Sequence, residues 1–141
     1  MIDFSFQNPI DFNLTIHHKS WLKAVIRNEH LQPGDVYYVF CDDAYLLERN
    51  IQFLNHDTLT DIITFDNRVG DFVSGEIFIS VERVHDNADQ LGVSFQEEML
   101  RVLVHGVLHL CGYKDKTDEE ASQMRGLENK YIALFHDMFP A

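Results

Sequence analysis

Cysteine and proline are scarce in this chain of 141 residues, which contains two cysteines and three prolines. Cys41 and Cys111 form no C-x-x-C pair, so neither a disulfide framework nor a dithiol redox motif is predicted. Both are expected to be buried small hydrophobic residues. The prolines are scattered and no Gly/Ser-rich tract occurs, so we expect residues 1–141 to form a single domain without a linker.

Basic residues are also few, because 11 lysines and arginines stand against 23 acidic residues and give a formal net charge of −12. That balance excludes a general, salt-driven nucleic-acid binder, since phosphate contacts depend on lysine and arginine. No apolar run is long enough for a membrane span and no charged-then-apolar leader opens the chain. We therefore expect a soluble, cytoplasmic protein. Hydrophobic residues make up 45%, which excludes wholesale disorder.

Hydrophobic periodicity predicts alternating strands and helices. Period-two or continuous apolar patterns predict strands at 1–7, 36–41, 61–65 and 76–81, with Gly70 and Gly75 in the loop before the last. Helical periods and capping residues predict helices at 17–30, 44–54, 80–91, 95–111 and 118–139. Ser94 and Thr117 are the expected N-caps of the last two helices. The fold class is therefore α/β, with a small mixed sheet of about four strands and several helices packed on it.

Residues 104–115, V-H-G-V-L-H-L-C-G-Y-K-D, carry the most informative pattern. His105 and His109 are four residues apart on a predicted helix, so both imidazoles leave the same face. Gly112 is able to adopt a left-handed conformation and end the helix, which brings Asp115 back toward the same point. The pattern H-x3-H-x2-G-x2-D predicts three ligands with an open position, the arrangement of catalytic zinc sites.

Two other interpretations of this segment exist. A polar pair on an amphipathic helix is the first, but apolar neighbours surround the two histidines, and two buried imidazoles without a ligand would lose their solvation without compensation. The zincin-like spacing also suggests a metalloprotease. Zinc proteases of the H-E-x-x-H type place a glutamate directly after the first histidine as the general base, and Gly106 occupies that position here.

The same segment closely resembles the signature H-G-x-L-H-L-x-G-Y-D-H of the YbeY family of metal-dependent endoribonucleases, also called rRNA maturation factors. A second stretch, residues 57–65 (D-T-L-T-D-I-I-T-F), is similar to that family's D-x-P-T-D-V-L-S-F. Gly75-Glu76-Ile77 resembles its G-D-I, and Glu120, Met124 and Glu128 follow its C-terminal helix pattern. The resemblance implies zinc bound by His105, His109 and Asp115, and cleavage of ribosomal RNA during its processing and in ribosome quality control.

Two departures from the family pattern bear on this expectation. The family's third ligand is usually histidine, and Asp115 makes the donor set harder and also suitable for non-haem iron(II). The family has Tyr-Arg where this chain has Phe53 and Leu54. Because that arginine is suited to stabilise charge on a phosphodiester, either another cationic group substitutes here or the ribonuclease chemistry is weakened.

Other candidate site residues follow from sequence position. Lys114 and Lys116 flank Asp115 and are the cations nearest to the metal in sequence, although solvated loop lysines are an equally good interpretation. Asp61 is expected to position the loop or a substrate group, whereas Thr60 is expected to make local hydrogen bonds. Five other histidines are expected on the surface: His17, His18, His30, His85 and His136.

Three functions remain open from the sequence. The first is a metal-dependent endoribonuclease in which water or a ribose 2′-hydroxyl is activated; its RNA contacts are expected at Lys19, Lys23 and Arg27, which form one stripe on the first helix. The second is a non-catalytic ribosome assembly factor stabilised by its metal and bound to rRNA or a ribosomal protein. The third, a metalloprotease, lacks its base.

Overall fold

The computed structural model describes residues 1–7, 12–54 and 60–140, without the side chain of Leu54. The start of the second family-like motif, residues 57–59, lies outside these ranges. The elements in chain order are β1 (Ile2–Phe6), α1 (Ile16–Asn28), β2 (Gln32–Cys41), α2 (Asp43–Leu54), β3 (Ile62–Asp66), β4 (Phe72–Ser80), α3 (Val81–Leu91), α4 (Phe95–Leu110) and α5 (Asp118–Met138). No helix in these ranges combines the length and apolarity needed to cross a membrane.

The four strands form one mixed sheet in the order β1-β2-β4-β3. β1, β2 and β4 run parallel, and β3 pairs with β4 in the antiparallel direction. The predicted α/β class with a small mixed sheet is confirmed. Helix α2 connects β2 to β3, α3 connects β4 to α4, and α4 packs against β3 and β4.

β4 begins earlier than the sequence predicted, and Gly75 lies inside it rather than in the preceding loop. A Cβ atom at Gly75 would stand 2.4 Å from the carbonyl oxygen of Phe65 on β3 and 3.0 Å from Leu110 on α4. Only glycine therefore allows the two strands and the helix to approach this closely. The sequence suggested a loop because glycine is generally rare within strands.

The predicted helix ends are present. Ser94 accepts a hydrogen bond from the backbone of Glu97 at the start of α4, and Thr117 and Glu120 form a capping box at the start of α5. Gly112 has φ 108°, the left-handed region that the sequence required after α4. The chain therefore reverses directly after the two histidines, and Asp115 follows on that reversal.

Buried side chains hold α4 and α5 in place. The hydroxyl of Tyr38 on β2 donates to the carbonyl of Leu103 over 2.7 Å, and the indole of Trp21 donates to the carbonyl of Tyr131, also over 2.7 Å. These two bonds satisfy the polar ends of large buried aromatic rings, which removes the penalty of burying them. They tie α4 to the sheet and α5 to α1.

His18 was predicted on the surface, and that prediction was wrong. Its side chain is 7% exposed, and its Nδ1 atom accepts a hydrogen bond from the Thr15 backbone over 3.1 Å, completing a capping box at the start of α1. Burial, with the neighbouring His17 charge, lowers the pKa of His18 to about 4. The sequence pattern did not indicate this burial, because histidine is an unusual residue at this capping position.

The buried His18 predicts acid sensitivity. The unfolded chain takes up a proton on this imidazole at about pH 6.5, whereas the folded chain resists it to about pH 4. The free energy of unfolding should therefore fall, by about 2–3 kcal/mol, as the pH is lowered through this window. Denaturant unfolding of metal-free protein at several pH values measures this.

His18→Gln should flatten the dependence, because glutamine retains the capping bond without titrating. His30→Asn is the matched control: His30 is exposed and has φ 64°, which asparagine tolerates. An unchanged pH dependence in His18→Gln would contradict this account of His18.

Candidate active site

His105 and His109 converge on one point in front of α4. Their Nε2 atoms are 2.9 Å apart, and Oδ2 of Asp115 lies 3.2 Å from the first and 3.5 Å from the second. Together the three residues offer ligand atoms that all lie within 4.8 Å of one another. The three predicted ligands are thus brought together by one helix and the turn that follows it.

The reversal after α4 also orients His109. The Nδ1 atom of His109 lies 2.9 Å from the carbonyl oxygen of Tyr113, so Nδ1 carries the proton and donates it. The Nε2 atom then presents its lone pair toward Asp115. Gly112, at φ 108°, is what allows the Tyr113 carbonyl to turn back to the helix that it has just left.

Glu128 on α5 orients the other imidazole. Its Oε2 atom lies 2.6 Å from Nδ1 of His105, and its Oε1 atom accepts from Nη1 of Arg101 over 3.0 Å. Burial acts to raise the pKa of Glu128, but the hydrogen bonds from His105 and Arg101 outweigh it and hold that pKa below its ordinary value. The ionised carboxylate therefore fixes the proton on Nδ1 and leaves Nε2 free to bind a metal.

This donor set fits a divalent metal. Two imidazole nitrogens and one carboxylate oxygen suit zinc and also non-haem iron(II). Both imidazoles are oriented by hydrogen bonds to their second nitrogen, as is typical of metal-binding histidines. The three ligands line a cavity of about 520 Å³, so a further coordination position faces open space.

The cavity extends from the ligands along α4. It is lined by residues from the start of β3 and the segment before it, from three helices and from the turn after α4: Thr60, Asp61, Ile62, Asn87, Leu91, Glu98, Arg101, Val102, His105, His109, Asp115, Arg125 and Glu128. Within it, Asn87 donates to Asp61 over 3.3 Å, and burial raises the pKa of Asp61. Thr60 donates to the carbonyl of Ile62, the local bond that the sequence suggested for it.

Two arginines that the sequence pattern did not indicate as site residues line the cavity. Arg101 is one helical turn before His105 on α4, and Arg125 is three residues before Glu128 on α5. Arg125 makes no hydrogen bond within the described residues; its Nη1 atom is 3.9 Å from Glu128. The helical spacing of Arg101 from His105 is a signal that would have identified it, whereas Arg125 is placed by the packing of α5.

The lysines on either side of Asp115 are not among the residues that line the cavity. Lys114 and Lys116 are exposed, and neither belongs to the described residues that line the cavity. Lys19 forms an ion pair of 3.1 Å with Asp3 of β1, the edge strand farthest from β3. The stripe of Lys19, Lys23 and Arg27 therefore lies toward the sheet edge away from the cavity.

Gly106 occupies the position of the protease base but faces the sheet. A Cβ atom there would stand 3.0 Å from Ile77 and 3.1 Å from Ile62. A glutamate at this position would have to displace both side chains from the packed interface between α4 and the sheet. The geometry thus gives the metal site no glutamate of the H-E-x-x-H type.

Comparison with known proteins agrees with this geometry. The family model described as Endoribonuclease YbeY matches residues 3–136. Proteins named Endoribonuclease YbeY from Flavobacterium johnsoniae and Flavobacterium psychrophilum are 52% and 48% identical over 136 residues, which are 96% of this chain and 98% and 97% of those proteins. The protein of the same name from Bacteroides thetaiotaomicron is 45% identical over 114 residues, 81% of this chain and 83% of that protein.

A solved structure shares the fold. The solution structure of a Thermotoga maritima protein matches with a TM-score of 0.72 and 27% sequence identity, covering 99% of this chain and 91% of that one. The family model and these relatives thus match the chain over nearly its full length. The chain belongs to the endoribonuclease YbeY family.

Proposed function

We propose that the protein is a metal-dependent endoribonuclease that cleaves single-stranded regions of ribosomal RNA during its maturation, with His105, His109 and Asp115 as the metal ligands. The observation that carries this proposal is the convergence of three ligand atoms at the wall of an open cavity, with both imidazoles held in the ligand tautomer. Zinc is the proposed metal, because two imidazoles and one carboxylate are a common catalytic zinc set.

The metal and the side chains have separate roles in this proposal. A divalent ion bound at the three ligands supplies Lewis acidity toward a phosphate oxygen and toward the attacking oxygen of water or the ribose 2′-hydroxyl. Glu128 keeps the proton on Nδ1 of His105, and the Tyr113 carbonyl does the same for His109. Asp61, held by Asn87 across the cavity, positions the substrate.

The phosphodiester needs cationic partners besides the metal. Arg101 and Arg125 take this role here, replacing the arginine that the family has at the position of Leu54. Arg101 uses one of its five N–H donors on Glu128, and Arg125 has all of its donors available among the described residues. Lys114 remains a candidate for a weaker contact from the loop beside Asp115.

The proposal extends to partners and location. We also propose that Lys19, Lys23 and Arg27 contact the RNA backbone, that the protein contacts ribosomal proteins, and that it acts in the cytoplasm. The excess of acidic residues favours a role for these additional contacts, because the cavity alone would bind RNA weakly without help from a ribosomal partner.

Cleavage of a single-stranded rRNA fragment with and without a chelator tests the proposal. Chelation should abolish cleavage and zinc should restore it.

In the same assay Arg125→Ala should raise KM about 3- to 10-fold and weaken the salt dependence of binding, because one phosphate contact is lost. Lys130→Ala, an exposed cation on the same helix and outside the cavity lining, is the matched control. Chelator-resistant cleavage would refute the proposal.

A further inference from the structure

Glu98 is a buried acid that lines the cavity and has no role in the proposed chemistry. Its side chain lies on α4, is 5% exposed and lines the same cavity as the metal ligands. The Oε1 atom is buried and has no hydrogen-bond partner in the part of the chain that the structure describes. An unpartnered buried carboxylate oxygen is costly, so a bound molecule that donates a hydrogen bond would be expected at this position.

The position of Glu98 relates it to the metal site. Glu98, Arg101 and His105 follow one another on one face of α4, because they are separated by three and four residues. The rise of 1.5 Å per residue places Glu98 roughly 10 Å along the axis from His105. A nucleotide next to one held at the metal would therefore lie beside Glu98, with Arg101 between the two positions.

The part of the cavity near Glu98 is suited to a base rather than to a phosphate. Glu98 and Asp61 are both carboxyl groups there, and like charge disfavours a phosphate beside them. Leu91 is a large apolar residue that is 56% exposed at the cavity wall, and Val102 lines the cavity beside Glu98. Apolar side chains of this kind cover the face of a base while a polar group binds its edge.

We propose that Glu98 accepts hydrogen bonds from the Watson–Crick edge of a nucleobase and gives the enzyme a preference for guanine at that position; this inference rests on the proposed function. Guanine presents two adjacent N–H donors on that edge, N1–H and the 2-amino group, which match the paired oxygens of one carboxylate. Adenine, cytosine and uracil place an acceptor next to the donor, and that acceptor would face a carboxylate oxygen.

Matched RNA substrates test this preference. The test compares the wild type and Glu98→Gln in the cleavage of short uridine-rich RNAs that each carry a single guanosine, inosine or adenosine. The wild type should have a kcat/KM about 10-fold or more higher with guanosine than with adenosine or uridine, because unpaired polar groups discriminate strongly. Inosine, which lacks the 2-amino group, should lose most of that advantage. Glu98→Gln should bring the substrates to within about twofold of each other.

Glu97→Gln is the matched control, because Glu97 is the adjacent residue on α4 and pairs with His136 outside the cavity. This variant should keep the guanosine preference. Since Glu98→Gln removes an unpartnered acid, its melting temperature should equal or exceed that of the wild type. If the variant does not fold, the inosine comparison in the wild type decides the proposal alone.

Binding of guanosine 5′-monophosphate against inosine and uridine 5′-monophosphates, measured by calorimetry, separates this inference from the proposed function. All three ligands carry the same phosphate, so a difference between them reports the base. Metal-dependent cleavage without a guanine preference, or an equal preference in Glu98→Gln, would overturn the role of Glu98. If the wild type cleaves no RNA, the proposed function fails, and equal binding of the three nucleotides would then overturn the base site as well.

Discussion

His109→Ala is expected to release the metal and to slow RNA cleavage by at least about 1,000-fold. The variant keeps two ligands, His105 and Asp115, which no longer define a site with one open position. Because the metal supplies the charge stabilisation at the phosphate, its loss removes several kcal/mol from the transition state. Elemental analysis of the purified variant measures the metal content, and the cleavage rate constant under single-turnover conditions measures the loss of activity.

His136→Ala is the control for this substitution. His136 is exposed near the end of α5 and contacts Glu97, so the variant should keep the metal and the cleavage rate. A His109→Ala protein that retains one metal per chain and cleaves RNA at the wild-type rate would show that the reaction occurs elsewhere. Loss of thermal stability in His109→Ala, with no RNA cleavage by either the variant or the wild type, would instead favour the assembly-factor hypothesis.

Glu128→Gln is expected to lower the metal affinity by about 10- to 100-fold. The carboxylate of Glu128 accepts from His105 and from Arg101, and a glutamine amide replaces one accepting oxygen with a donor. His105 then loses the partner that keeps its Nδ1 protonated, or Arg101 loses its partner. Competition with a metal-sensitive chelating dye measures the change in affinity.

Glu119→Gln is the matched control for Glu128→Gln, because Glu119 is an exposed acid in the first turn of the same helix. Its metal affinity should equal that of the wild type. Equal affinity in Glu128→Gln would show that the hydrogen bond to His105 does not contribute to metal binding, and Glu128 would then be a structural partner of Arg101 only.

The metal ligands were predictable from the sequence because they are local. Helical geometry alone puts His105 and His109 on one face, and Gly112 supplies the reversal that brings Asp115 to them. No distant residue is needed to define the three ligands. The same local logic predicted the capping residues of α4 and α5 and, with the strand patterns, the four-stranded mixed sheet.

The rest of the cavity was not predictable in this way. Glu128, Arg125 and Asn87 reach it from α5 and α3, so their arrival depends on how these helices pack against α4. Arg101 lies on α4 itself, yet its role follows from its bond to Glu128. Gly75 and Gly106 are explained only by close approach of other elements, which a sequence pattern does not contain.

The excess of acidic residues has a different meaning once the cavity is known. A net charge of −12 excluded a general nucleic-acid binder, and that conclusion is compatible with an enzyme whose cations are few and local. Arg101 and Arg125 stand at the cavity, and the metal would add two positive charges beside Asp115. The two arginines and the metal would thus stand among the four acids of the cavity lining, Asp61, Glu98, Asp115 and Glu128, and provide cations where the phosphodiester would bind.

The central claim is that one metal ion at His105, His109 and Asp115 is needed for RNA cleavage. Its most direct test is a titration of chelator-treated protein with zinc, in which bound metal and the rate of single-stranded RNA cleavage are measured on the same samples. We predict that the rate rises in proportion to bound zinc and stops rising at one ion per chain. Full cleavage by metal-free protein, or no cleavage at one zinc per chain, would contradict the claim.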